Sequence, residues 1–506
     1  VILSGDVAYS ANFDGAGTLR ITGTATTDEA IGSAVAMGIL DLDGQITSTD
    51  TIAVSVLDLD GTIAGATSFD ATGVANLNGT ITSTGVVGIG GATTLGGDSQ
   101  ITTTDAIVTL NAVNGAGIDL TINSGTAATN FDGIVGGSAG VGAIALTGGL
   151  DLDAAITDAE SISVSLASNL GAAITTTGTA ATTITLSDAA TLSAATTLTT
   201  ANTNISLEAV DGAQTLTLVA GTGNITTSAA MTQVTTMTVT SATTATFAAV
   251  TNATETQLDS TGTNTFGGIL TSPTVDINAG TTTFSGVVTA STVIDVAGAN
   301  TIVNIDAAVD TAKLTMAAGT VNISVQDIDI DDLVLTAGDI VVEKTVTNGQ
   351  TVFITATQTG GTLNTNGQIF MPVNLSSGQT LVLFEDNEGS TVGATTEANI
   401  EAVVEDTPLT NYVASEATNN VVVTSTDKTS SATATELGIT VDAAKALLQA
   451  RNSVISDTNV DGTAEDQFFN VLNARGGLTL ADATALAKQV GPAVDVNGGS
   501  SVATRA

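Results

Sequence analysis

The chain has 506 residues, with 9 Lys+Arg against 50 Asp+Glu, no Cys, His or Trp, and a formal net charge of −41. That inventory excludes a His-based triad, a thiol nucleophile, a zinc finger and a disulfide framework, and it offers no basic surface for nucleic acid. Aromatics are only 3% and charged residues 12%, yet 42% hydrophobic residues and a Thr at about one position in five argue against disorder.

In chain order, the opening VILSGDVAYS has neither a basic n-region nor an apolar h-region, so an export signal is expected to have been removed already. No apolar run reaches the roughly 18 residues of a membrane-spanning helix. Three early segments then read alike: LDLDGQITSTD from Leu40, LDLDGTIAGAT from Leu57 and NLNGTITSTG from Asn76. Their Ile46, Ile63 and Ile81 lie 17 and 18 residues apart, Ile101 follows 20 later, and Ile156 and Ile174 repeat a step of 18. Within them, Asp41-Leu42-Asp43-Gly44 and Asp58-Leu59-Asp60-Gly61 set paired carboxylates one repeat apart. They read first as Asp-Gly turns and second as a cation ladder.

From Val239 the repeat becomes more regular. Val239, Leu258, Ile277, Val296, Met316, Leu335, Ile354 and Val373 follow steps of 19, 19, 19, 20, 19, 19 and 19. Phe247, Phe266 and Phe284 form a second series, 19 and 18 apart, expected to be a core column; the alternative is an exposed carbohydrate platform. Helical repeats and propeller blades are longer than this period. Each period carries alternating apolar residues, as in LTLVAG, VDINAG, IDVAG and LVLTAG, with Gly, Asn and Asp at the corners. That is strand periodicity broken by tight turns. Two or three such strands make one coil of a parallel β-helix. Coils stacked at about 4.8 Å bury Ile, Val and Leu in a core too narrow for Trp, and they line up Thr and Asn outside. The expected fold is all-β: a right-handed parallel β-helix, a solenoid with coils of about 19 residues, ending in a small α-helical segment. The uneven steps favour the right-handed form over a left-handed hexapeptide helix.

Three regions are expected: a β-helix over 1–375, closing strands over 376–430 and a helical region over 431–506. Six of the nine basic residues lie in the last of these or just before it: Lys428, Lys445, Arg451, Arg475, Lys488 and Arg505. Thr440 followed by VDAAKALLQARNSVI reads as a helix. Thr463 with Asp466 caps a second, QFFNVLNA, and Thr479 with Asp482 caps a third, ATALAKQV. Leu447, Leu448, Phe468, Phe469, Leu472, Leu486 and Val490 are the expected contact between them, and covering the open edge of the last coil is an expected role.

The stretch GQTLVLFEDNEG from Gly378, followed by PLTNYVASEATNNVVVTSTDK from Pro408, resembles the closing strands of autotransporter (type V secretion) passengers. LTLADATALAKQVGPAVDVNGGSSVATRA resembles the helical linker that leads such passengers into their outer-membrane barrel. TTTFSGVVTA from Thr281 is similar to repeats of the rickettsial surface-antigen branch of that family. The resemblance implies a secreted passenger at the bacterial cell surface, separated from its barrel, whose aromatic-girdled strands are not found in this sequence.

Two segments are candidate Ca²⁺ sites. Strand alternation would set Asp327, Asp329 and Asp331 on one face as hard oxygen ligands; the favoured competing reading is a solvated face with Ile328 and Ile330 turned inward. Asp457, Asn459 and Asp461 with Gly462 begin an EF-hand-like loop, but Phe468 stands where its bidentate Glu belongs, and a helix-linking turn is favoured. No other cofactor is expected. Nor is catalysis, because polysaccharide-acting β-helix enzymes combine carboxylates with basic residues and residues 21–312 contain no Lys or Arg. Two functions compete. One is self-assembly into a surface layer, coat or fibre, with copies of itself and the cell envelope as partners. The other is adhesion to host or neighbouring cells or their glycans. The unbroken repeat favours assembly, with divalent ions screening the acidic flanks.

Overall fold

The computed structural model describes residues 1–343, 345–355, 362–363, 367–372, 375–386, 401–417, 420–455, 468 and 480–490. Strand after strand pairs in parallel with its equivalents in the coils before and after it, which makes the fold a parallel β-solenoid. The chain divides into two compact units, Val1–Thr256 with Ser260–Gly262, and Gln257–Asp259 with Thr263–Ala506.

In the first unit each coil lays down three faces. On the first, Leu3, Ile21, Leu42, Leu59, Leu77 and Leu95 stack in register. On the second, Ala25, Ile46, Ile63, Ile81, Ile101 and Ile122 do so. On the third, Ile52, Phe69, Val87 and Val108 are stacked. Apart from Leu3, every one of these side chains is buried. The period of two along a strand explains it: in Gln45–Ser48, Ile46 and Ser48 turn inward while Gln45 and Thr47 turn out. Each Ile or Leu so buried contributes about 1.5–3 kcal/mol, and β-branched side chains suit the pleated wall. The steps expected from Ile46 to Ile101 and from Ile156 to Ile174 are all observed as register pairs.

Two devices turn the corners. Between the first and second faces, Gly23, Gly44, Gly61 and Gly79 lie in successive coils, and a Cβ on any of the last three would overlap the carbonyl oxygen of the glycine in the coil before it. Close stacking, not an unusual backbone angle, therefore requires glycine after Asp43, Asp60 and Asn78. Between the second and third faces a column of buried hydroxyls takes over. Thr27 donates to the Glu29 carbonyl at 3.1 Å, Ser48 to Asp50 at 3.2 Å, Ser83 to Ala66 at 3.0 Å and Ser124 to Ala127 at 2.8 Å. These bonds brace the corner, and three of the four carbonyls also accept a backbone N–H from the next coil: Asp50 from Thr67 at 3.1 Å, Ala66 from Thr84 at 2.7 Å and Ala127 from Gly149 at 3.1 Å.

The second unit repeats the scheme. Ile277, Val296, Met316 and Leu335 pair in register as expected. So do Phe266 and Phe284, whose ring centroids are 5.7 Å apart. Phe247, Phe266 and Phe284 are all buried, as core packing requires. The 19-residue count then slips. Leu335 pairs with Leu363, while Ile354 pairs with Asp329 on another face. The coil after Leu335 is longer than its predecessors, so a fixed count lands on the wrong wall. Val373 lies outside the described residues.

The parallel stack ends in a reversal. Thr380–Asp386 pairs in parallel with Thr351–Thr355 but antiparallel with Asn420–Asp427, which is itself antiparallel to Thr410–Ala417. Three helices follow among the described residues: α1 (Ser430–Leu437), α2 (Val441–Ile455) and α3 (Leu480–Val490). The sequence pointed to α2 and α3 but not to α1, which starts at the Thr429 cap and stops at Gly438 in the left-handed conformation, φ 61°. Leu409, Leu437, Leu447, Ala483 and Ala487 form a small core, with Leu448, Phe468 and Leu486 packed on it. Of the expected helix contacts, Phe469, Leu472 and the side chain of Val490 lie outside the described residues, as do the Thr463 and Thr479 caps and, apart from Phe468, the expected second helix. Leu409 directly precedes the strand Thr410–Ala417, so the helices are seated at the start of the closing hairpin. No described helix is long and apolar enough to cross a membrane.

Candidate functional site

The outward walls carry the chemistry. On the first face of the first unit, Arg20, Asp41, Asp58 and Asn76 follow one another in register. Arg20 binds Asp43 at 2.6 Å and reaches Asp41 at 3.5 Å. One coil further, Asn76 donates to Asp58 at 2.8 Å, and two coils on from Asp43, Asn78 donates to Asp60 at 2.9 Å. The arrangement is a ladder of cation, two acid rungs and an amide rung. Desolvation raises the pKa of Asp41, Arg20 lowers it, and Asp43, Asp58 and Asp60 push it up again. The Asp-Gly segments are thus both turns and a ladder, but the ladder's donors come from the protein.

In the second unit, the candidate ligands Asp327, Asp329 and Asp331 do not share one strand face. Asp327 sits in a left-handed turn at φ 56° before the strand Ile328–Leu335, and Asp329 projects outward from that strand. Asp331 lies with Asp332 where the strand rounds a corner, and Ile328 and Ile330 are buried. Asp329 pairs in register with Asp310. Its pKa is raised by desolvation, then by Asp310 and Asp331. Lys313 meets Asp332 at 3.7 Å. A similar stack joins Asp276 to Asp295, whose pKa desolvation and Asp276 raise. Among the described residues no group of three or more His, Cys, Asp or Glu is placed to hold a metal ion. Asp457, Asn459 and Asp461 lie outside the described residues.

The second face differs from the other two. Its central outward column in the first unit runs Thr24, Gln45, Thr62, Thr80, Gln100, Thr121, Ala145, Ser163, Thr185, Ser206 and Thr226, each in register with the next. None is charged. Beside it Thr26 pairs with Thr47, and Thr82 with Thr102. The second unit has its own version: Thr265, Thr283, Asn304 and Asn322 in register, with Asn322 donating to Asn304 at 2.9 Å and Asn304 to Thr283 at 3.1 Å. The third face of the first unit intersperses acids instead: Asp70, Gly88, Thr109, Asn130, Asp151, Asn169, Thr191 and Asp211. There Asn169 donates to Asp151 at 2.7 Å. Sequence reasoning missed this partition because the coils differ in length, so a Thr in one repeat is assigned to a wall only once its register is known.

A depression of about 440 Å³ on the walls is lined by Gly117, Gly140, Asp158, Glu160, Thr177 and neighbouring residues. Thr177 donates to Asp158 at 2.7 Å, and no basic residue lines the depression. Compared with known proteins, the chain matches no family model, no curated protein and no solved structure.

Proposed function

We propose that this is a non-catalytic, exported bacterial surface protein that assembles with copies of itself into a layer, coat or fibre. The observation that supports it is the register: outward rows of like side chains repeat from coil to coil, so each wall is a periodic surface suited to periodic contacts. The resemblance of Gly378–Gly389 and Pro408–Lys428 to autotransporter closing strands supports export to the cell surface. The acidity supports a dependence on cations, since neighbouring copies at −41 repel unless counter-ions gather between them. At the depression beside Asp158 and Glu160, no basic residue lines the wall to bind an acidic sugar or a leaving group.

The test is electron microscopy and sedimentation of the purified chain over a range of concentrations, with Ca²⁺ and with chelator. Ordered sheets or fibres in at least one condition are expected. Dispersed monomers throughout would remove the proposal, and cell binding by those monomers would put adhesion in its place.

A further inference from the structure

We infer that the second face of the first unit, along its uncharged central column, is the surface on which one copy of the protein packs against another. This rests on the assembly reading above and names the wall that carries it. Three observations converge. First, the central column of the face is free of charge over eleven consecutive outward positions, Thr24 to Thr226, in a chain with 50 acidic residues. The other two walls present Asp41, Asp58, Asp70, Asp151 and Asp211 outward. Two acidic walls brought together would desolvate like charges at their centre; two second faces would bring neutral columns together and leave flanking acids such as Asp98 and Asp119 at the rim.

Second, the side chains are self-complementary. A carboxylate only accepts hydrogen bonds, so it has nothing to offer its own copy. A Thr hydroxyl and a Gln amide both donate and accept, so rows of Thr62, Thr80, Gln100 and Thr121 can bond to identical rows across a two-fold axis. Third, the spacing matches. Successive rungs are about 4.8 Å apart, and a second stack of the same chain has the same spacing, so every rung finds a rung. The backbone of this face is already bonded from coil to coil, as in Thr62 to Gly44 at 2.9 Å and Thr80 to Gly61 at 3.0 Å. Its side chains are therefore what it offers.

Size sets the mode of association. Ten steps of about 4.8 Å by a width of about 10 Å give on the order of 500 Å² per copy, below the roughly 800 Å² of a stable isolated pair. One contact is weak, and growth depends on several at once, which produces a threshold concentration.

The test compares the wild type with a triple variant, Thr62→Glu, Thr80→Glu and Thr121→Glu, and with Thr109→Glu on the third face. All three are checked for β-sheet content by circular dichroism, and Thr80→Ser serves as a fold-preserving partner on the strip. The threshold for sedimentable assembly is expected to rise at least about tenfold in the triple variant and to stay within about twofold in Thr109→Glu and Thr80→Ser. Wild-type assembly with an unchanged threshold in a folded triple variant would overturn the assignment of this face alone. So would equal impairment by Thr109→Glu. A wild type that stays monomeric would overturn the assembly reading itself. Retention of that monomer on crystalline cellulose or on ice, lost in the triple variant, would give the face a different occupant with a similar repeat.

Discussion

The coils and the closing region are held by different means. In the coils, stability is repeated: Ile46, Ile63, Ile81 and Ile101 occupy equivalent places, each in register with the next. Charged side chains there stay at the surface; Arg20 and Lys313 are 47% and 42% exposed. In the closing region, single contacts do what repetition does elsewhere. Arg451 on α2 is 2% exposed, binds Asp427 at 2.6 Å and donates to the Leu375 carbonyl at 2.8 Å. A guanidinium in that position ties helix, hairpin and the preceding chain together. The comparison teaches that a repetitive wall tolerates local variation, whereas the place where repetition stops depends on particular side chains.

The sharpest way to break this contrast is to remove the buried cation. Arg451→Ala is expected to destabilise the closing region by about 3–5 kcal/mol, because it leaves Asp427 and a buried carbonyl without their partner. Chemical denaturation followed by proteolysis of the C-terminal end would register it, and a loss under about 1 kcal/mol would mean the pair behaves as a surface ion pair. The second largest effect belongs to the coils. Ile63→Ala should lower stability by about 2–4 kcal/mol through the cavity it opens. Because the coils below and above retain their own contacts, hydrogen exchange should accelerate around residues 46, 63 and 81 and leave the helices unchanged. Uniform acceleration would show that repetition does not confine the damage.

The smallest effect sharpens the electrostatic side. Asp295 stacks on Asp276, and its pKa is raised by desolvation and by that neighbour. A carboxyl whose pKa is higher folded than unfolded adds stability below its unfolded pKa and loses it as the pH rises through the folded value. Stability should therefore increase as the pH is lowered from neutrality toward the ordinary carboxylate range, with Asp41 and Asp329 acting in the same direction. Asp295→Asn should reproduce part of that gain at neutral pH, roughly 0.5–1 kcal/mol, by setting an amide over a carboxylate as Asn169 over Asp151 and Asn76 over Asp58 already do. A melting temperature lower in the variant than in the wild type would contradict it.

Much of this architecture was legible in the sequence, because burial on a strand has a period of two and stacking repeats it coil by coil. Ile46, Ile63 and Ile81, the Phe266–Phe284 pair and helices α2 and α3 follow from that and from capping residues. Ile354 did not, because period counting carries no information about a lengthened corner. The Asp327–Asp331 run misled for a related reason: alternation holds only along a straight strand, and this run begins in a turn and ends at a corner. The burial of Arg451 left no local trace at all, since its partners Asp427 and Leu375 are 24 and 76 residues away.

The placement of the scarce cations has one more consequence. Arg20, locked against Asp43, and Lys313, facing Asp332, bracket a span in which no other Lys or Arg occurs. An enzyme that cuts only after basic side chains, such as trypsin, has nothing to grip between them. Digestion would trim the ends and leave a resistant fragment from Ile21 to Lys313, with durability written into what the chain omits.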